Sequence, residues 1–568
     1  MRVPLSWLGE YVQLPPDLSP RALADRLLAA GLEVETVESV DVTGPLVVGR
    51  ILEVEVETHP NGKSIRWCQV DVGAHNVTAE GGSAQPRGIV CGAHNFAVGD
   101  LVVVALPGSV LPGGFAINAR RTYGHVSDGM ICSVRELGLG EDHEGILVLG
   151  EADLVDLHGA ALRADRSPGA DARPLLGLPD AVLDIAVTPD RGYCLSVRGV
   201  AREAASALGL PFRDPADPHR LGPGAPAPSD RDAWPVRIED PTGCDRFAVR
   251  VVHNLDPSRV SPLWLRTRLH LAGMRPISLA VDVTNHVMLE VGQPIHGYDG
   301  DLLSGPLRVR RAGPREALQT LDGRRRPLDA EDLVIVDDTG PIGVAGVMGG
   351  ASTELSPQTR HVVVEAAHFD PVAIARSARR HKLPSEASRR FERGVDPALP
   401  AVAAGLVVQM LADLGAATVD PALTDVDLRG PVEPIGMNIS DPSRIAGLPY
   451  GDDEVMRLLR EVGCAVGDPA PDGALQVVPP TWRPDLTDPV DLVEEVVRLA
   501  GYDRLPSTVP TGPASHGLTR AQRQELEISR AIAYFGGVEV KNYPFVGDAM
   551  LDAMGVPAQA PERRRVRV

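Results

Sequence analysis

The chain has 568 residues, 43% hydrophobic and 23% charged, with a formal net charge of −20. This is a globular composition. It excludes a generally basic nucleic-acid coat, and no stretch approaches the roughly 20 apolar residues of a membrane span. The opening MRVPLSWLGEYVQLP has one Arg and no apolar run long enough for a signal peptide, so a cytoplasmic protein with no membrane or DNA partner is expected. A single core rarely grows past roughly 250 to 300 residues, so several domains are expected. Six cysteines, Cys68, Cys91, Cys132, Cys194, Cys244 and Cys464, include no C-x-x-C pair and read as small buried hydrophobes, neither a zinc cluster nor a disulfide framework.

In chain order, the pattern predicts a helix over 20–30 with Leu23, Leu27 and Leu28 on one face. Val- and Ile-rich runs at 46–57, 88–91 and 100–106 predict short strands of a small β-barrel. Residues 211–235 hold seven prolines and two glycines and read as a linker, so a second domain is expected from Val236. From there to about Asp396, β-like FAVRVV, DLVIVD and HVVVEA mix with helical PLWLRTRLHLAG, which predicts an α+β domain. Segments 401–415 and 452–463 predict amphipathic helices, the second ended by Gly463.

Several motifs narrow the chemistry. Asn61-Gly62-Lys63-Ser64 ends like a phosphate loop but has Glu57 where the first Gly is required. GVAGVMGG, 343–350, lets a backbone or a ligand approach closely but lacks the G-x-G-x-x-G spacing, and taken alone it reads as tight packing. The stretch 282–299, DVTNHVMLEVGQPIHGYD, brings Asn285 and His296 to either side of a Gly-Gln-Pro turn. In the helix predicted from Asp488, Asp491, Glu494 and Glu495 fall within about one turn, where like charges repel unless a cation intervenes; magnesium, a partner's Arg or plain solvation all satisfy that pattern. Residues 376–393 hold seven Lys or Arg against two acids, and 308–326 seven Arg against two acids. On charge alone these are solvated faces or anion-binding surfaces.

PLSWLGEYV, HPNGKSIRWCQVDVG, IVCGAHN, SDGMICSVRELGLGEDHEGI, the 282–299 stretch, AGVMGG, SEASRRFERGVDP and WRPDLTDPVDLVEEVVRLAGYDRLP occur in that order. By these the chain resembles the β-subunit family of bacterial phenylalanyl-tRNA synthetases, from residue 1 to about 513. The resemblance implies a multidomain α+β protein. Residues 1–39 and 152–200 would form a discontinuous N-terminal domain, 40–151 an OB-fold tRNA-binding barrel and 201–235 a Pro-rich linker. An editing domain would follow at 236–425, a winged-helix-like domain at 434–509, and the start of a C-terminally truncated synthetase-like domain at 512–568.

The resemblance further implies a subunit that does not itself aminoacylate. It would join a catalytic α subunit in an α2β2 tetramer that uses ATP, bind tRNA(Phe), and hydrolyse mischarged Tyr-tRNA(Phe); a structural tRNA-binding subunit with an inactive pocket is the alternative. No ATP-binding signature is present in the chain. Arg275, Thr284, Asn285, His296, Gly346, Glu365, Ser385 and Ala387 would line the editing pocket, with Glu365 gripping the tyrosine hydroxyl. Asp485, Asp491, Glu494 and Glu495 would hold magnesium at the boundary with the α subunit. Lys63, Arg66, Arg120, Arg121, Arg379 and Arg380 are candidates for tRNA contacts. The family's usual H-P-N-A-D-K-L reads His59-Pro60-Asn61-Gly62-Lys63-Ser64-Ile65 here, losing an acidic position, and Ser385 replaces a Thr of some relatives, which should enlarge the pocket slightly.

Overall fold

The strand Asp180–Ala186 pairs on one side with Arg2–Pro4 and on the other with Glu33–Val40, so the first residues close a sheet whose centre arrives some 180 residues later. The computed structural model describes the chain except residues 59–63, 79–83, 144, 157, 159, 161, 222–230, 510, 513–516 and 564–568. It comprises two units, Met1–Leu505 and Pro506–Val568. The helix Pro20–Ala29 is capped by Ser19, whose Oγ accepts the Ala22 N–H, and it buries Leu23 and Leu27. Leu28 is 57% exposed, contrary to the expected face, because it lies about 100° around the helix from Leu27.

The linker expected from 201 begins later. Ser196 caps a helix over Val197–Leu208 that buries Ala201, Ala204 and Ala205, and Phe212 and Ala216 pack against the same core. Small residues at helical spacing, not the prolines beyond 211, govern this stretch.

Between these elements a five-stranded sheet runs in the order Met130–Ile131, Leu101–Ala105, Leu46–Thr58, Ser64–Asp71, Arg87–Cys91. A bulge between Ile51 and Glu53 helps the long strand bend, and the sheet nearly closes into a barrel around Val70, Ile89 and Val104. All six cysteines are buried and unbonded to one another.

Residues 236–427 stack two sheets. Cys244–His253 pairs with Val362–Phe369, which pairs in turn with Ile295–Asp299. Helices Leu279–Val291 and Pro400–Gly415 cover the outer face through Val362, Val364 and Ala366. The inner face meets the sheet containing Leu307–Arg311, Leu333–Asp337 and Gly340–Val344. Pro400–Gly415 presents no fully exposed residue, and Val402, Leu406, Gln409 and Asp413 form its half-buried face. Further on, Ile435–Asn438, Ala474–Val478 and Ala465–Val466 form a small sheet against Asp452–Val462 and Pro489–Ala500.

A buried ion-pair cluster joins these parts. Glu495 is completely buried and accepts from Arg191 at 2.5 Å, Arg483 at 2.9 Å and Arg498 at 2.8 Å. Arg498 also donates to Glu203 and to the Ala30 carbonyl, each at 2.7 Å. Burial pushes the Glu495 carboxyl up, but the Arg483 hydrogen bonds and the three guanidinium charges outweigh it and hold the group well below its ordinary 4.5.

In Pro506–Val568, Thr519 and Gln522 form a capping box for the helix Arg520–Tyr534, and Arg563 reaches Asp552 at 2.5 Å. Among the described residues of this unit only Leu551 is buried. Pro561–Arg563 forms a 3-10 turn.

Replacing Glu495 with Ala leaves three guanidiniums around an empty anion position. The expected loss is about 3–5 kcal/mol, read as a lower urea midpoint of Met1–Leu505. An unchanged midpoint would show that the cluster does not hold these parts together.

Candidate functional site

Alternation along Val362–Phe369 sets the site. Val363, Ala367 and Phe369 point inward between the two sheets, so the side chain of the same parity, Glu365, enters an apolar layer and is 6% exposed. A carboxylate there is costly unless a donor meets it. Tyr298, two residues beyond His296 on Ile295–Asp299, donates its hydroxyl to Glu365 Oε2. His296 lies directly opposite Glu365 in the antiparallel register, and its ring meets Tyr298 edge-on at 4.5 Å and 81°.

The turn over 343–350 gives this trio its space. A Cβ on Gly349 would lie 2.4 Å from His296 Cε1, and Gly346 has φ +65° with Phe391 and Ile374 packed against it, so neither position accommodates a side chain. The result is a cavity of about 260 Å³ walled by Ile295, Ile335, Val344, Phe369 and Phe391, with His296, Tyr298 and Glu365 as its polar groups. That combination suits an aromatic ring bearing one hydroxyl.

Burial raises the Glu365 carboxyl to about 7, with the Tyr298 hydrogen bond acting in the opposite direction. Burial also lowers His296 to about 4, so its ring is neutral at physiological pH. His296 Nε2 is buried and has no hydrogen-bond partner among the described residues, which leaves it able to bind water or a ligand atom.

Of the residues expected in the pocket, His296, Gly346, Glu365 and Ala387 line this cavity. Arg275 is exposed ahead of the helix Leu279–Val291, and Asn285 is half-buried on that helix; neither is a lining residue. Thr284 donates to the Val281 carbonyl at 2.8 Å within the helix. Ser385 caps the helix Glu386–Phe391 and donates to the Val347 carbonyl at 2.8 Å, tethering the glycine turn.

The other face of that short helix borders a groove lined by Arg379, Lys382, Arg389 and Arg393 together with Glu386 and Glu392, Arg389 lying 3.8 Å from Glu386. Arg380, expected to contact tRNA, is paired with Asp332 at 2.5 Å and Glu331 at 2.6 Å. Arg66 donates to the Phe96 carbonyl at 2.6 Å and stacks on its ring, whereas Arg120 and Arg121 are exposed on a two-stranded ribbon. Lys63 lies outside the described residues. Much of the 308–326 charge is neutralised: Arg308, Arg310, Arg311 and Arg326 pair with Asp338, Glu316, Asp240 and Asp322.

Among the described residues, the carboxylates expected to hold magnesium are engaged by donors of this chain. Glu495 is saturated by arginines, and Asp485 is paired with Arg483 at 2.7 Å. Asp491 accepts the Thr487 and Asp488 N–H groups as a helix cap, and Glu494 accepts from Tyr502 and Arg191. Among the described residues no group of three or more His, Cys, Asp or Glu is arranged for a metal. Arginines of this chain already provide the positive charge that the acidic helix start needed.

Four family models match the chain. They are "Putative tRNA binding domain" over 46–155, "B3/4 domain" over 243–416, "tRNA synthetase B5 domain" over 435–502 and "Phenylalanyl tRNA synthetase beta chain CLM domain" over 505–568. Among curated relatives, a Phenylalanine--tRNA ligase beta subunit of Thermobifida fusca is 52% identical over 574 residues, covering 100% of this chain and 66% of the relative. One from Streptomyces avermitilis is 53% identical with coverage of 100% and 66%. One from Bifidobacterium longum is 45% identical with coverage of 100% and 67%. The chain thus spans about two thirds of the length of these relatives. An N-terminal fragment of the phenylalanyl-tRNA synthetase beta-subunit from Pyrococcus horikoshii is similar over 62% of this chain and 98% of that one, at 14% identity and a TM-score of 0.29, too weak a likeness to carry an argument.

The raised Glu365 carboxyl has a stability consequence. Its folded value of about 7 exceeds its ordinary 4.5, so its contribution turns unfavourable as pH rises through that window. Glu365→Gln is expected to be more stable than the parent at about pH 8, by about 3 kcal/mol, with the gap closing toward about pH 4.5. A gap independent of pH would contradict the assignment.

Proposed function

This chain belongs to the Phenylalanine--tRNA ligase beta subunit family, and on that premise we propose that it serves a phenylalanine–tRNA ligase as a non-aminoacylating, tRNA-binding subunit that hydrolyses mischarged Tyr-tRNA(Phe). In this reading it is cytoplasmic and assembles with an α subunit, as α2β2, that carries the ATP-dependent attachment of phenylalanine. The barrel of 40–151 is an OB-fold for tRNA, 236–425 the editing domain, 434–509 a winged-helix-like domain, and 512–568 belongs to a synthetase-like domain.

The observation that carries the editing reading is the ionisable Glu365, held by Tyr298 at the inner end of an apolar cavity. Tyrosine exceeds phenylalanine by one hydroxyl, and an apolar synthetic pocket rejects an added hydroxyl by only roughly a hundredfold. A second pocket can reward the same group: the apolar walls take the ring and Glu365 accepts the phenol O–H. Hydrolysis then adds water oxygen to the ester carbonyl carbon and breaks its bond to the ribose oxygen, which takes up a proton; tyrosine and free tRNA result. The neutral His296, with Nε2 open, is suited to holding the attacking water or the ester. Arg275 would help to orient the ester and the terminal ribose. Arg379, Lys382, Arg389 and Arg393 supply the positive surface for the acceptor strand.

The test is deacylation of Tyr-tRNA(Phe) by this chain, with Glu365→Ala alongside. The variant is expected to lose at least about tenfold in kcat/KM, which corresponds to about 1.4 kcal/mol of transition-state binding. Phenylalanine attachment by the assembled ligase should stay near the parent rate. Equal loss of both activities would refute the editing role, and no hydrolysis by either form would favour a structural tRNA-binding subunit.

A further inference from the structure

We propose that Tyr298 is the positioning residue that gives the cavity its preference for a hydroxylated ring: it engages one oxygen of Glu365 and leaves the other facing the cavity as the acceptor. This rests on the editing reading and names a residue that the sequence did not flag.

The geometry carries it. Tyr298 is fully buried between the two sheets and donates to Glu365 Oε2, while Oε1 has no hydrogen bond among the described residues and Glu365 is a lining residue. His296 packs edge-on against the Tyr298 ring, which restricts rotation of the phenol away from the carboxylate. Glu365 is placed opposite His296 by strand register, so the carboxylate, phenol and imidazole are fixed by three backbone positions on two paired strands. A carboxylate without Tyr298 would keep its place in the strand but lose the bond that selects which oxygen is offered.

The same bond affects ionisation. A hydroxyl donor stabilises the charged carboxylate, so it works against the burial that otherwise keeps Glu365 neutral. The titratable groups around the pair are His296 on the same strand as Tyr298, Cys244 on Cys244–His253, whose thiol is raised by burial and by Glu365, and Asp337 on Leu333–Asp337, which acts on Tyr298. The glycine turn and the helix Glu386–Phe391 contribute Gly343, Gly346, Gly349, Ala387 and Phe391 to the lining, none of them titratable.

The experiment compares Tyr298→Phe with the parent chain in two measurements. In the first, Tyr-tRNA(Phe) deacylation is followed from about pH 5.5 to 9. The variant is expected to show a midpoint raised by about one unit and, at neutral pH, a KM raised about tenfold, with kcat largely regained at the alkaline end. In the second, the Glu365 carboxyl is titrated by carbon-13 NMR, assigned by its disappearance in Glu365→Gln, and its midpoint should move upward in Tyr298→Phe. Both shifts support the proposal. An unmoved carboxyl midpoint, or unchanged KM and pH profile in a parent that deacylates, overturns it. If the parent does not deacylate, the editing reading fails while the carboxyl titration still decides whether Tyr298 sets Glu365.

Discussion

A single buried carboxylate ties two distant stretches of the larger unit to each other. Glu495 contributes one negative charge to a place where Arg191, Arg483 and Arg498 converge, and the guanidiniums reach onward to Glu203, Asp485 and Glu494. Planar guanidiniums with several donors suit this arrangement, since each can satisfy two acceptors at once. The stretch from 191 to 206 meets that from 461 to 498 here, where Arg202 also stacks on Trp482 and Ser206 donates to Glu461.

The cavity near Glu365 follows the opposite rule. There burial is only partly compensated: one phenol hydroxyl is the sole donor to the carboxylate among the described residues, and the facing imidazole stays neutral. Four arginine-linked acids make a structural joint, whereas one under-compensated acid with an open oxygen makes a binding group. The contrast between Glu495, held ionised, and Glu365, held near neutrality, separates scaffold from site in physical terms.

Much of this was legible in the sequence where the signal was local. Val-rich runs gave the barrel strands, Gly463 ended its helix, and the motif residues His296, Gly346, Glu365 and Ala387 do converge on one cavity. Tyr298 was equally available: in any strand through His296, the residue two places on shares its face. Arg498, three residues from Glu495, was visible as a helical neighbour, but Arg191 lies 304 residues away and no periodicity reports such a pairing. The basic segments misled for the same reason. Their partners Asp240, Asp332 and Asp338 are distant in sequence or outside the charge windows, so a count of local charge overstated the free positive surface.

The pairing of Arg2–Pro4 with Asp180–Ala186 bears on how the protein is made. At about 5–20 residues per second of synthesis, the opening strand waits about ten seconds or more for its partner. The five strands of the barrel sheet all lie between Leu46 and Ile131, so most of its pairing precedes that partner, with Val47 also bridging Asp171. Its early closure brings the flanking segments together and shortens the loop that the N-terminal sheet must close. The inserted barrel thereby acts as an internal clamp for the older end of the nascent chain.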